Sequence, residues 1–65
     1  MIYFVAEKSS PTTYISVYSQ YDEYLGKIIY HEETKSIRFE TTYEGGKFYY
    51  EDMIAITNKM REVTP

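Results

Sequence analysis

His31 is the only histidine in this 65-residue chain, and there is no cysteine. A zinc site needs three or four Cys, His or carboxylate ligands converging on one point. Glu32 and Glu33 follow His31 directly, and three adjacent residues in a turn converge poorly, so no metal site is expected and His31 reads as a surface residue beside a hairpin turn. A Ser, His and acid triad can be written from Ser36, His31 and a carboxylate. Acyl transfer also needs an oxyanion hole, an orienting acid and a dry pocket, and a thin domain of this size offers little of that. The acid pairs Asp22 and Glu23, Glu32 and Glu33, and Glu51 and Asp52 invite a glycosidase or cation-site reading. Each pair lies in a loop or at a helix start, where solvation explains it. Gly45 and Gly46 belong to no phosphate-binding pattern and read as a turn. The expectation is therefore no catalytic residue, no metal and no cofactor.

Tyrosine is the residue type left over. There are nine, with no tryptophan, and so small a core cannot satisfy nine phenolic hydroxyls, so several must be exposed. Tyr14 and Tyr18 share one strand face, and Tyr21 and Tyr24 follow closely. Tyrosine offers large contact area at low entropy cost with a hydrogen-bonding tip, which favours it at protein interfaces, and it also stacks on unpaired bases. It is equally a good strand former in a half-wet sheet. Tyr14, Tyr18, Tyr21, Asp22, Glu23 and Tyr24 form the candidate partner-binding surface. Lys27, Lys35, Arg38 and Lys47 are the alternative nucleic-acid-binding set.

Elements must position these residues. Ten acids against seven bases give a formal charge of −3, which argues against binding held mainly by phosphate neutralisation. The longest apolar run, Ile2 to Ala6, is too short for a membrane span, and a cytoplasmic protein of one domain, residues 1–65, is expected. Residues 2–7 read as a terminal strand and Lys8 to Thr12 as a loop. Residues 13–19 alternate cleanly, with Ile15 and Val17 on one face and Tyr14, Ser16 and Tyr18 on the other. Residues 25–31 and 36–42 read as a hairpin. Setting Ile28 opposite Phe39 brings Tyr30 to Ile37, Lys27 to Glu40, Ile29 to Arg38 and His31 to Ser36. Tyr43 to Gly46 form the next turn and residues 47–49 a short strand. From about 51 to 63 the period becomes helical, with Met53, Ile56, Met60 and Val63 on one face and Glu51, Ala55, Asn58 and Glu62 opposite. No Ser, Thr, Asp or Asn precedes Glu51 as a cap, so the helix starts uncapped at Tyr50 or Glu51, or Asp52 caps a later start. Thr64 and Pro65 end it.

Leu25, Gly26, Ile28 and Tyr30, then Ile37, Phe39 and Phe48, then Met53, Ile56 and Met60 resemble the pattern of short uncharacterised proteins of phages and prophages. The resemblance spans residues 25–60. It implies a shared fold and a mobile-element origin, and it assigns no site residue. Strands followed by one helix are also similar in order to the single-stranded DNA-binding fold of a transcriptional coactivator and its phage relatives.

The expected fold is α+β, an antiparallel sheet of four to five short strands packed against one C-terminal helix. Val5, Ile15, Val17, Ile28, Ile37, Phe39, Phe48, Met53, Ile56 and Met60 form its core, and Tyr30 and Tyr49 are taken up by packing. The expected function is a small non-enzymatic protein-binding module, a phage or prophage accessory protein that inhibits or modifies a host factor. Single-stranded nucleic-acid binding is the alternative. A homodimer is expected, since an uncovered sheet face or edge on so small a domain gains by pairing.

Overall fold

A computed structural model describes residues 1–41 and 48–64, apart from the side chains of Lys8 and Ser9. The chain runs through β1 (Ile2–Ser9), β2 (Thr12–Ser19), β3 (Tyr24–His31), β4 (Ser36–Thr41) and α1 (Tyr50–Val63). The strands form one antiparallel sheet in the order β1-β2-β3-β4, with the helix on one face. The architecture is α+β. The turn proposed at Tyr43 to Gly46 lies outside the described residues, as does Lys47. Phe48 and Tyr49 are not a strand, so no fifth strand exists among the described residues.

The first hairpin is tighter than the sequence suggests. Ser9 pairs with Thr12, which leaves only Ser10 and Pro11 in the loop, joined by a cis peptide bond. This register sets Phe4 opposite Val17 and Ala6 opposite Ile15, so even-numbered residues of β1 face the helix. Val5 is not in the core; it is 46% exposed on the other face. Both faces of β1 are apolar, so alternation within the strand does not decide which one is buried. Pairing with β2 decides it.

The β3–β4 hairpin has the expected register, Ile28 opposite Phe39 and Tyr30 opposite Ile37, because a one-residue slip would turn both apolar pairs to water. The strands are joined through Glu32 to Lys35, with Lys35 at a φ of 55°. Between β2 and β3 the register shifts at Val17 and Tyr18. There Gly26, at a φ of +154°, packs where a side chain would meet backbone.

The buried centre is Ile15, Val17, Ile28 and Ile56, with Ile37, Phe39, Phe48 and Met60 packed against it at the β4 side. Phe48 meets Phe39 edge to face at 5.5 Å. Full burial of each aliphatic side chain contributes roughly 1.5–3 kcal/mol.

The helix is rotated from the expected orientation. Asp52 and Ile56 are its buried residues and Ala55 is half-buried, whereas Met53 is 58% exposed and not a core residue. The cause lies at its N-terminus. Asp52 is not a solvated acid; its Oδ2 accepts the Tyr49 N–H at 3.3 Å, and its Oδ1 lies 3.8 Å from the Met1 amino group. Turning this carboxylate inward turns the next residue, Met53, outward. Tyr49, expected in the packing, is 74% exposed. Two turns beyond Asp52, Lys59 places its Nζ 5.6 Å from the Phe4 ring centroid on β1 and 3.8 Å from Glu62 Oε2. Thr64 closes the C-terminus, its N–H and hydroxyl both donating to the Met60 carbonyl.

A Cβ at Gly26 would stand 2.3 Å from the Glu40 carbonyl oxygen and 3.0 Å from the Thr41 Cα, both backbone atoms. Gly26→Ala is expected to cost about 2 kcal/mol or more, read in urea unfolding, because neither strand can move without breaking the sheet. A cost below about 0.5 kcal/mol would show that this crossing is not tight. Asp52→Ala is expected to cost about 1 kcal/mol in the same measurement, the usual effect of losing a helix-start acceptor.

Candidate protein-binding face

The helix leaves one face of the sheet uncovered, and cross-strand pairing orders that face into rows. Tyr3, Tyr18 and Tyr24 make the first row; Val5, Ser16, Lys27 and Glu40 the second; Glu7, Tyr14, Ile29 and Arg38 the third; Thr12, His31 and Ser36 lie in the fourth.

The first row is an aromatic strip across three strands. Tyr3 and Tyr18 stack with centroids 5.3 Å apart and planes 15° from parallel, and Tyr24 tilts against Tyr18 at 5.6 Å. Such contacts contribute about 0.5–1.5 kcal/mol each beyond the area they bury. The β2–β3 turn caps the strip. Ser19 Oγ accepts the N–H groups of Tyr21 and Glu23, and Asp22, at a φ of 66°, turns its carboxylate back to accept the Tyr3 hydroxyl at 2.5 Å. This hydrogen bond first, then burial and the adjacent negative charge, raise the Tyr3 phenol above its ordinary value.

The third row is the most enclosed. Ile29, between Tyr14 on β2 and Arg38 on β4, is buried although it points away from the helix. Lys27 places its ammonium 5.4 Å from the Tyr14 ring centroid. Arg38 Nε donates to Glu40 Oε2 at 2.6 Å, and its Nη1 lies 3.4 Å from His31 Nε2. Arginine only donates, so a neutral His31 ring accepts there and carries its proton on Nδ1, 3.4 Å from Thr12 Oγ1. Ser36, opposite His31, instead shares a hydrogen bond with Thr34 at 2.9 Å. The paper triad is therefore not assembled. No group of three or more His, Cys, Asp or Glu able to hold a metal occurs among the described residues.

The structure gathers Tyr14, Tyr18 and Tyr24 on this face and places Tyr21, Asp22 and Glu23 in the turn at its rim. Tyr21 is 76% exposed there. The sequence reading missed Tyr3, Ile29 and Glu7. Assigning Val5 to the core turned the odd-numbered residues of β1 inward, which hid Tyr3 and Glu7. A two-residue loop at Ser10 and Pro11 would have revealed them, because it pairs odd positions of β1 with the even, outward positions of β2. Of the alternative basic set, Lys27 and Arg38 lie on the face and Lys35 in the β3–β4 turn. Across the face, Lys27 and Arg38 are balanced by Glu7 and Glu40.

Comparison with protein-family models, with curated proteins and with solved structures finds no match for this chain. Among the described residues, no helix is long and apolar enough to cross a membrane.

Tyr3 is expected to titrate above the ordinary value of about 10, read by NMR on ring-labelled tyrosine with the resonance assigned through Tyr3→Phe. Asp22→Gly keeps the positive φ and removes the carboxylate, so the value should fall back. A proton held more tightly in the folded state contributes stability in full below the unfolded value and loses it as pH rises through the folded one. An unchanged Tyr3 titration in Asp22→Gly would contradict this hydrogen bond as the main cause.

Proposed function

We propose that this chain is a small non-enzymatic protein-binding module whose contact surface is the uncovered sheet face. The observation that carries this reading is the character of the face: three tyrosines in mutual contact, Tyr14 beside a buried Ile29, and charges that balance. Aromatic residues with polar tips on a rigid backbone are what a protein partner desolvates at low entropy cost. The resemblance of residues 25–60 to short phage proteins supports a host factor as one partner of this class.

A second reading has one observation in its favour. The ammonium of Lys27 beside the Tyr14 ring is an arrangement suited to stacking a base while meeting its phosphate. The balanced face argues the other way, because single-strand binding draws most of its affinity from a surplus of cations.

The test compares captured proteins for the wild type, a Tyr14→Ser/Tyr18→Ser variant, and a control on the outer helix face, Tyr50→Ser/Ile54→Ser, each shown by thermal melting to fold. Losing a central tyrosine typically costs about 2 kcal/mol, so the sheet-face variant should lose its partner by more than about tenfold while the control keeps it. Loss with the helix variant alone would refute the assignment. Binding of a labelled oligothymidylate at low salt that weakens with added salt and with Lys27→Ala would instead favour the nucleic-acid reading.

A further inference from the structure

The uncovered face is self-complementary, and we infer that its protein partner is a second copy of this chain, stacked face to face about a two-fold axis that runs parallel to the strands between β2 and β3. The inference rests on the protein-binding reading above and names the occupant of the same face.

The third row carries the argument. From edge to edge it reads acid, aromatic, aliphatic, cation: Glu7, Tyr14, Ile29, Arg38. A two-fold axis along the strands exchanges β1 with β4 and β2 with β3 without moving a residue along its strand. Glu7 of each copy then faces Arg38 of the other, and Tyr14 faces Ile29. Arg38 gives its Nε–H to Glu40, and its guanidinium fork has further donors for a second carboxylate. In the first row the same operation lays Tyr18 over Tyr24. In the second it sets Ser16 against Lys27. Symmetry makes every such contact occur twice, as an isologous interface requires.

Charge and area agree with this occupant. The four rows bring two cations and two carboxylates, with Asp22 and Glu23 at the rim beside the first, so stacking the rows of two copies assembles no net charge although each chain carries −3. Four strands spaced about 4.8 Å and up to eight residues long at about 3.3 Å per residue present roughly 500 Å² in plane, and two copies reach about 1,000 Å², the size at which a specific interface begins. Twisted sheets stack about 30° from parallel, which shifts an outer strand some 7 Å from the axis by only about 4 Å along its length, within reach of a Glu and an Arg side chain. The product is a β-sandwich with its two helices outermost.

Glu7 and Arg38 cannot meet within one copy, because β2 and β3 lie between them. Charge reversal therefore separates this dimer from any other. By sedimentation equilibrium of the full chain, Glu7→Arg and Arg38→Glu should each weaken dimerisation by about tenfold or more, and the double variant should recover it, since two like-charge contacts become two opposite-charge ones. The chain has no cysteine, so a second measurement holds even if a reversal fails to fold. Mixed Glu7→Cys and Arg38→Cys proteins should be joined by a short bismaleimide linker that spans the roughly 10 Å between stacked sheets, and neither variant alone should be joined at a comparable rate. A wild type that stays monomeric at millimolar concentration overturns the inference. So does a dimer that ignores both reversals and is trapped instead through Val5→Cys alone, which would mark pairing along the β1 edge. If the chain is monomeric and Tyr14→Ser/Tyr18→Ser still abolishes capture of another protein, the second-copy inference fails while the protein-binding reading stands.

Discussion

One helix cannot cover both faces of a sheet, and the rest of this molecule answers that constraint. An α-helix with its side chains is about 10–12 Å across, whereas four strands span about 19 Å, so α1 shields only the middle of the face it occupies. The fully buried residues accordingly sit on the two central strands, Ile15 and Val17 on β2 and Ile28 on β3, beneath Ile56 of the helix. Phe4, Ile37 and Phe39 on the outer strands are only partly buried. Lys59 and Phe48 extend the cover at opposite margins, one through its ammonium over the Phe4 ring and the other through its ring on Phe39.

The other face is left to protect itself. Ile29 is buried there without a second layer, among Tyr14, Lys27 and Arg38. Three tyrosines touch instead of standing separately, Tyr3 stacked on Tyr18 and Tyr24 tilted against it, and Asp22 holds the strip at one end through the Tyr3 hydroxyl. Tyrosine suits a surface of this kind, since its ring removes apolar area from water while its hydroxyl keeps a polar partner. Four of the nine tyrosines, Tyr3, Tyr14, Tyr18 and Tyr24, thus have a place on the uncovered sheet face.

Much of this was legible in the residue order. The β3–β4 register followed from matching Ile28 to Phe39 and Tyr30 to Ile37, because only one parity buries both pairs. The alternation of β2 placed Tyr14 and Tyr18 opposite Ile15 and Val17 in the same way. Two assignments failed where that logic had no purchase. In β1, Tyr3 and Val5 are nearly as apolar as Ile2 and Phe4, so alternation within the strand favours neither parity. In α1, Met53 lies one position from Asp52, and a hydrophobic pattern ranks methionine inward and aspartate outward. It cannot register that the backbone N–H of Tyr49 needs a carboxylate more than the sheet needs a thioether.

The sequence by itself determined the element order, the register of the third and fourth strands, and the fact that several tyrosines must meet solvent, because these depend on local periodicity and on how few hydroxyls a small core can satisfy. The tertiary structure alone decided which tyrosines stand together. A two-residue hairpin between the first strands sets the parity of β1, and that parity brings Tyr3 to the tyrosines of β2 and β3 and aligns Glu7 with Arg38 across three strand spacings. A row across a sheet joins residues far apart in the chain, so no window of sequence contains it.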